Sequence, residues 1–148
     1  MMKLNGTQTV LIAEDSDDDY EVTVYALQRS GGLKNPLYRV ENGQELLDYL
    51  NRQGHFRNSD HTLPGIILLD LNMPGIDGRS ALREIKSESL FRKIPIVVLT
   101  TSDDEKDIQE CYQDGANTYI QKPVDLDGFF RAIQNLKEYW FEIAILPR

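Results

Sequence analysis

The chain is poor in several things that would each have narrowed its chemistry. It holds one cysteine in 148 residues, Cys111, so no internal disulfide can form. Spaced with Ile108 and Tyr112 in a helical pattern, that thiol belongs to a core or half-buried face, which fits a reducing compartment. Only two histidines occur, His55 and His61, both in one loop, leaving no metal–histidine site and no helical phosphohistidine. No apolar run approaches the roughly 20 residues of a membrane span, and the start MMKLNGTQT lacks a secretory apolar stretch. A cytoplasmic protein with no membrane contact is expected. Basic residues are outnumbered, 16 Lys and Arg against 24 Asp and Glu, and the net charge of −8 argues against direct nucleic-acid binding. Neither a Gly-rich dinucleotide fingerprint nor a P-loop is present.

What is there reads as one domain of alternating strands and helices. Thr9 to Ala13, Leu37 to Val40, Gly65 to Leu69, Ile94 to Leu99 and Thr118 to Ile120 are short apolar or β-branched runs. The three longest lack polar alternation, as strands covered on both faces of a parallel sheet do. Asn42-x-x-Glu45 and Ser102-x-x-Glu105 resemble helix capping boxes, Gly31 and Gly32 close the first helix, and Gly115 closes the fourth. A fifth helix is expected from about Leu126 toward Trp140, with Phe129, Ile133, Leu136 and Trp140 on one stripe. Five β-α units in order predict a doubly wound α/β fold with right-handed crossovers.

In such folds polar chemistry collects beyond the carboxyl ends of the strands. Strand one ends in Glu14 and Asp15, strand three in Asp70, strand four in Thr100 and Thr101, and strand five leads to Lys122-Pro123. Asp70 alone, before a Pro-Gly turn, could simply cap its loop. Gathered with the other strand ends, the carboxylates repel one another and demand a cation, and hard oxygen ligands without His or Cys favour Mg²⁺. A lysine and a hydroxyl beside them suit a phosphoryl group, with Asp70 as its acceptor. Asp15, Asp17 and Asp19 mimic an EF-hand, but that loop would place Tyr20 where Gly is needed and Ala26 where Glu is needed. Asp17, Asp18 and Asp19 are instead expected to lie solvated at the start of helix one, complementing its dipole, with Asp17 or a neighbour as cap.

Glu14-Asp15, Asp70 in DLNMPGIDG, Thr100 after PIVVL, Tyr119 and Lys122-Pro123, in that order, resemble a response-regulator receiver domain of two-component signalling. The resemblance implies the flavodoxin-like strand order 2-1-3-4-5 with five helices. It makes Asp70 the phosphoacceptor, and Asp15, Asp70 and the Asn72 backbone carbonyl the ligands of Mg²⁺, with Glu14 acting through water and Mn²⁺ or Ca²⁺ as substitutes. Lys122, Thr100 and Thr101 would bind the phosphoryl group, Thr100 and Tyr119 would form the switch pair, and the Lys122-Pro123 bond would be cis. The switched surface would be helix four, strand five and helix five. The chain would be a phosphoacceptor and not an enzyme, apart from its own phosphotransfer and slow self-dephosphorylation. Asn72 stands where a haloacid-dehalogenase-type phosphatase has its second aspartate, which argues for a longer-lived phosphoaspartate. The alternative is a receiver-like binding module that never takes phosphate.

Two further features resemble the stand-alone response regulators of cyanobacterial and bacterial phytochromes. Residues 51 to 64, NRQGHFRNSDHTLP, make a loop longer than usual, and EYWFEIAILPR forms an extension at about 138 to 148 with no output domain expected. This implies a sensor histidine kinase of phytochrome type as phosphodonor, and a homodimer. Phe130, Tyr139, Phe141, Ile143 and Ile145, continued by Leu146, are the candidate dimer interface, because together they would expose an apolar patch.

Overall fold

The computed structural model describes residues 8–29, 33–73, 77–101 and 103–143. Its strands are β1 (Val10–Ala13), β2 (Leu37–Val40), β3 (Ile66–Asp70), β4 (Ile96–Thr100) and β5 (Thr118–Gln121), each following the expected run within two residues. They alternate with helices α1 (Asp17–Gln28), α2 (Gly43–Asn51), α3 (Gly78–Ser87), α4 (Glu105–Gln113) and α5 (Leu126–Lys137). All pairings are parallel and the spatial order is β2-β1-β3-β4-β5, the flavodoxin-like receiver arrangement. Every residue of β1, β3 and β4 is buried, whereas the edge strands β2 and β5 are largely half-buried or exposed.

Successive strand side chains point to opposite faces, so each central strand feeds two cores. Leu11, Ile67, Leu69, Ile96 and Val98 pack with Leu46 and Leu50 of α2, Leu82 and Ile85 of α3, and Cys111 of α4. Val10, Ile12, Ile66, Leu68 and Val97 pack with Ala26 and Leu27 of α1 and with Phe129, Ile133, Leu136 and Trp140 of the last helical segment. Enclosing a side chain such as Leu82 or Ile133 contributes roughly 1.5–3 kcal/mol, and it is this two-sided burial that holds the strand ends level.

The helix starts agree in part with the capping signals. Asn42 Oδ1 accepts the Glu45 amide at 2.8 Å, and Glu45 Oε1 reaches back to the Glu41 amide at 2.9 Å. Helix α1 is capped by Ser16, whose Oγ accepts the Asp19 amide at 3.2 Å, rather than by Asp17. Asp104 caps α4, its Oδ1 accepting the Lys106 amide at 2.9 Å, because that helix begins at Glu105; Ser102, Gly31 and Gly32 lie outside the described residues. Gly115 follows α4 with φ of 106°, backbone that an L side chain rarely adopts. Regular α-helix stops at Lys137, and wider turns continue over Glu138–Ile143 with Trp140 still buried.

The 51 to 64 loop carries its own packing. A single 3₁₀ turn at Gly54–Phe56 buries Phe56, and the His61 ring stacks on Tyr49 at 4.0 Å between centroids. His61 also holds Tyr49 O at 2.8 Å from its Nε2 and contacts Ser59 Oγ through Nδ1. Among the described residues no helix is long and apolar enough to cross a membrane.

Candidate functional site at the carboxyl ends of the strands

Parallel strands place all their carboxyl ends on one rim. Glu14 directly follows β1, held by its amide to Val40 O at 3.0 Å, and Asp70 is the last residue of the central β3. One oxygen from each of Glu14, Asp15 and Asp70 lies within 4.8 Å of the others. Glu14 and Asp70 are 3 % and 6 % exposed, while Asp15 is exposed to solvent. Into this group comes Lys122, itself 5 % exposed, with Nζ at 2.6 Å from Glu14 Oε1, 2.8 Å from Asp19 Oδ2 and 3.5 Å from Asp70 Oδ2.

The rim is braced from several sides. Asn72 donates its amide to Asp70 Oδ1 at 3.0 Å and its Nδ2 to Thr100 Oγ1 at 3.1 Å, tying the loop after β3 to the wholly buried Thr100. Arg39 of β2 donates to Glu14 O at 2.9 Å and Asp17 Oδ1 at 2.8 Å and lies over the Tyr20 ring, fixing the loop between β1 and α1. At Gly78 a Cβ would stand 2.7 Å from Asp70 O and from Leu71 Cα, so the start of α3 approaches the end of β3 more closely than a side chain permits.

Charge on this rim does not balance. One ammonium faces the carboxylates of Glu14, Asp19 and Asp70, with Asp15 alongside. Burial, then the contact with Asp70, pushes the Glu14 carboxyl up to about 7 against the pull of Lys122. Burial opposes the charge on Lys122, but Asp19 and Glu14 outweigh it and hold its pKa above the ordinary lysine value. A site with crowded hard oxygens, no His or Cys, and a solvent-facing Asp15 fits a divalent cation such as Mg²⁺, which would relieve the excess negative charge.

The sequence pattern of the response regulator receiver domain matches residues 10–134, which includes every strand and the whole rim. The chain belongs to the response regulator receiver domain family. It is 36% identical over 143 residues to the response regulator Rcp1 of a Synechocystis strain, covering 97% of this chain and 95% of Rcp1. Among solved structures it is similar to the phosphorylated cyanobacterial phytochrome response regulator RcpA, with TM-score 0.89, 36% identity, and 96% and 99% of the two chains covered. The Mn²⁺-bound form of Rcp1 is equally similar in fold, with TM-score 0.89, 35% identity, and coverage of 95% and 99%. Receiver domains are signalling proteins, and this one stands close to phytochrome response regulators.

Of the residues expected at the receiver's site, Glu14, Asp15, Asp70, Asn72, Thr100 and Lys122 come together. Thr101 is exposed at the start of the loop after β4. Tyr119 is half-buried in β5 against the core shared with α3 and α4, and its amide donates to Tyr112 Oη at 3.1 Å. One expectation fails: no peptide bond among the described residues is cis, so Lys122-Pro123 is trans. The ammonium is drawn inward without it, because three carboxylates converge on Nζ and the Lys122 amide is pinned to Thr100 O at 2.6 Å. Asp19 was expected in solvent as helix-dipole complement and is instead a direct partner of Lys122. Of the dimer candidates, Tyr139 is 53 % exposed and Phe130 half-buried, while the Phe141 and Ile143 side chains and all of Ile145 lie outside what is described.

Proposed function

We propose that this receiver takes a phosphoryl group from a sensor histidine kinase onto Asp70. The observation carrying this is the division of labour at the Asp70 carboxylate: Oδ1 is oriented by the Asn72 amide, and Oδ2 faces the buried Lys122 ammonium beside the open Asp15. An Asp70 oxygen attacks phosphorus, the bond from phosphorus to the donor's imidazole nitrogen breaks, and the electron pair leaves with that nitrogen. Asp15, Asp70 and the Asn72 carbonyl would hold Mg²⁺, with Glu14 reaching it through water. When bound, the ion neutralises charge on the phosphoryl oxygens, and Mn²⁺, present in the Rcp1 structure, can stand in for it. Lys122 and the hydroxyls of Thr100 and Thr101 take the remaining phosphoryl oxygens.

Thr100 is the internal relay. Its Oγ1 now accepts from Asn72 Nδ2, so a phosphoryl group that recruits this hydroxyl changes the packing beside β5. Tyr119 responds, and the populations of two α4–β5–α5 surfaces shift. Self-dephosphorylation is slow, since Asn72 offers no acid or base. The similarity to RcpA, a cyanobacterial phytochrome response regulator, supports a phytochrome-type kinase as donor. The chain acts as one receiver domain with an extension from about residue 138. The exposed Tyr139, beside a groove lined by Thr118, Ile120 and Leu136, supports a homodimer through this end; a monomer mass in light scattering excludes it.

Incubation with a small phosphodonor and Mg²⁺ tests the central reading. One phosphoryl group per chain is expected, absent in Asp70→Asn and absent without a divalent ion. Equal labelling of Asp70→Asn would move the acceptor elsewhere, and no labelling of the wild type would leave a receiver that acts by binding alone.

A further inference from the structure

Asp19 has no place in the ligand set just proposed, yet its Oδ2 is nearer to Lys122 Nζ, at 2.8 Å, than Asp70 Oδ2 is at 3.5 Å. Its backbone is held at both ends: the amide donates to Ser16 Oγ at 3.2 Å and the carbonyl accepts from Thr23 Oγ1 at 2.8 Å. The side chain is therefore aimed from a fixed first turn of α1 into the rim. It is 37 % exposed, against 5 % for Glu14 and 7 % for Asp70.

That difference decides which contact yields. An ammonium has three N–H donors, and Glu14, Asp19 and Asp70 already engage them. A phosphoryl group on Asp70 carries about 1.5 to 2 negative charges in place of the single charge of the carboxylate; it can take over the N–H now directed at Asp70 Oδ2, and Lys122 can turn a second N–H to it only by releasing Glu14 or Asp19. Releasing Glu14 would strand a buried carboxylate, whereas Asp19 can be rehydrated where it stands.

We propose that Asp19 is a positioning residue for Lys122, holding the ammonium between α1 and the acceptor in the unphosphorylated receiver and surrendering it to the phosphoryl group. It thereby sets how readily the phosphorylated state forms. This rests on the Asp70 phosphoacceptor reading.

Beryllofluoride, a phosphoryl analogue, serves as the probe on the full chain at saturating Mg²⁺. Asp19→Asn, isosteric and uncharged, is expected to bind it about twofold to fivefold more tightly than the wild type, the range for an ion pair with one part-exposed partner. Asp19→Glu restores the carboxylate and is expected to return affinity toward the wild-type value. Asp18→Asn removes the same charge from an exposed neighbouring position and is expected to leave it unchanged. In metal-free protein, the Lys122 side-chain nitrogen resonance should move in Asp19→Asn and stay in Asp18→Asn. Wild-type binding that Asp19→Asn leaves unaltered, or an equal gain from Asp18→Asn, overturns the role of Asp19 alone. Absence of beryllofluoride binding by the wild type overturns the phosphoacceptor reading and this inference with it.

Discussion

Two ion clusters in this receiver are built from the same kinds of residue and differ in where they sit. On the rim, Lys122 meets Glu14, Asp19 and Asp70, and three of these four side chains are 5 to 7 % exposed. Between α3 and α4, Arg79 contacts Asp107 and Glu110, and Arg83 faces Asp114 at 3.7 Å, with side chains 20 to 54 % exposed. The second cluster shares its field with water, so its ion pairs trim the stability of a surface already made by packing. The first cannot. Its carboxylates outnumber the one ammonium they share, and that imbalance favours a divalent cation at the rim.

The comparison is tested hardest at Lys122. Lys122→Met keeps most of the length of the side chain and removes the charge, and is expected to cost about 3 kcal/mol in urea unfolding of metal-free protein at pH 7. A cost no greater than that of a surface pair would erase the distinction between the clusters.

Next in size is the pH dependence of Glu14. Its folded pKa of about 7 lies above its ordinary 4.5, so the stability it contributes is full below about 4.5 and lost as pH rises through 7. Metal-free protein should therefore lose up to about 3 kcal/mol from this group between pH 5 and pH 8, a slope that Glu14→Gln flattens. Mg²⁺ should raise Tm more at pH 8 than at pH 5; equal increments at the two would show that burial and the contact with Asp70 do not raise the Glu14 pKa. Smallest is Arg79→Ala, expected to cost about 0.5–1 kcal/mol at low salt, with much of the difference from wild type disappearing at high salt.

The fold was legible because its determinants are local. The runs VLIA, IILLD and IVVLT are apolar at every position except their rim ends, Asp70 and Thr100, and only a sheet covered on both faces can bury them so. The residue after each run was legible for the same reason, since parallel strands gather their ends. Asp19 was misread because carboxylates in the first turn of a helix usually serve the dipole from solvent, as exposed Asp18 does. A signal was available: Asp19 is the third helical residue after the Ser16 cap, and a side chain there turns back toward the helix start. The cap of helix α4 was read two residues too early, since Ser102 and Asp104 are both competent cap residues and the helix begins at Glu105 behind Asp104.

By itself the sequence determined the order of strands and helices, the two-sided core and the set of chemical groups delivered to the rim, because periodicity and strand ends are properties of short segments. The tertiary structure decided how charge is shared among those groups. It left Asp15 open and Glu14 buried, turned Lys122 inward across a trans peptide, and brought Asp19 from α1 onto an ammonium 103 residues away along the chain. Those outcomes depend on distances and dehydration that exist only once α1 and the β5–α5 connection have packed against the same sheet.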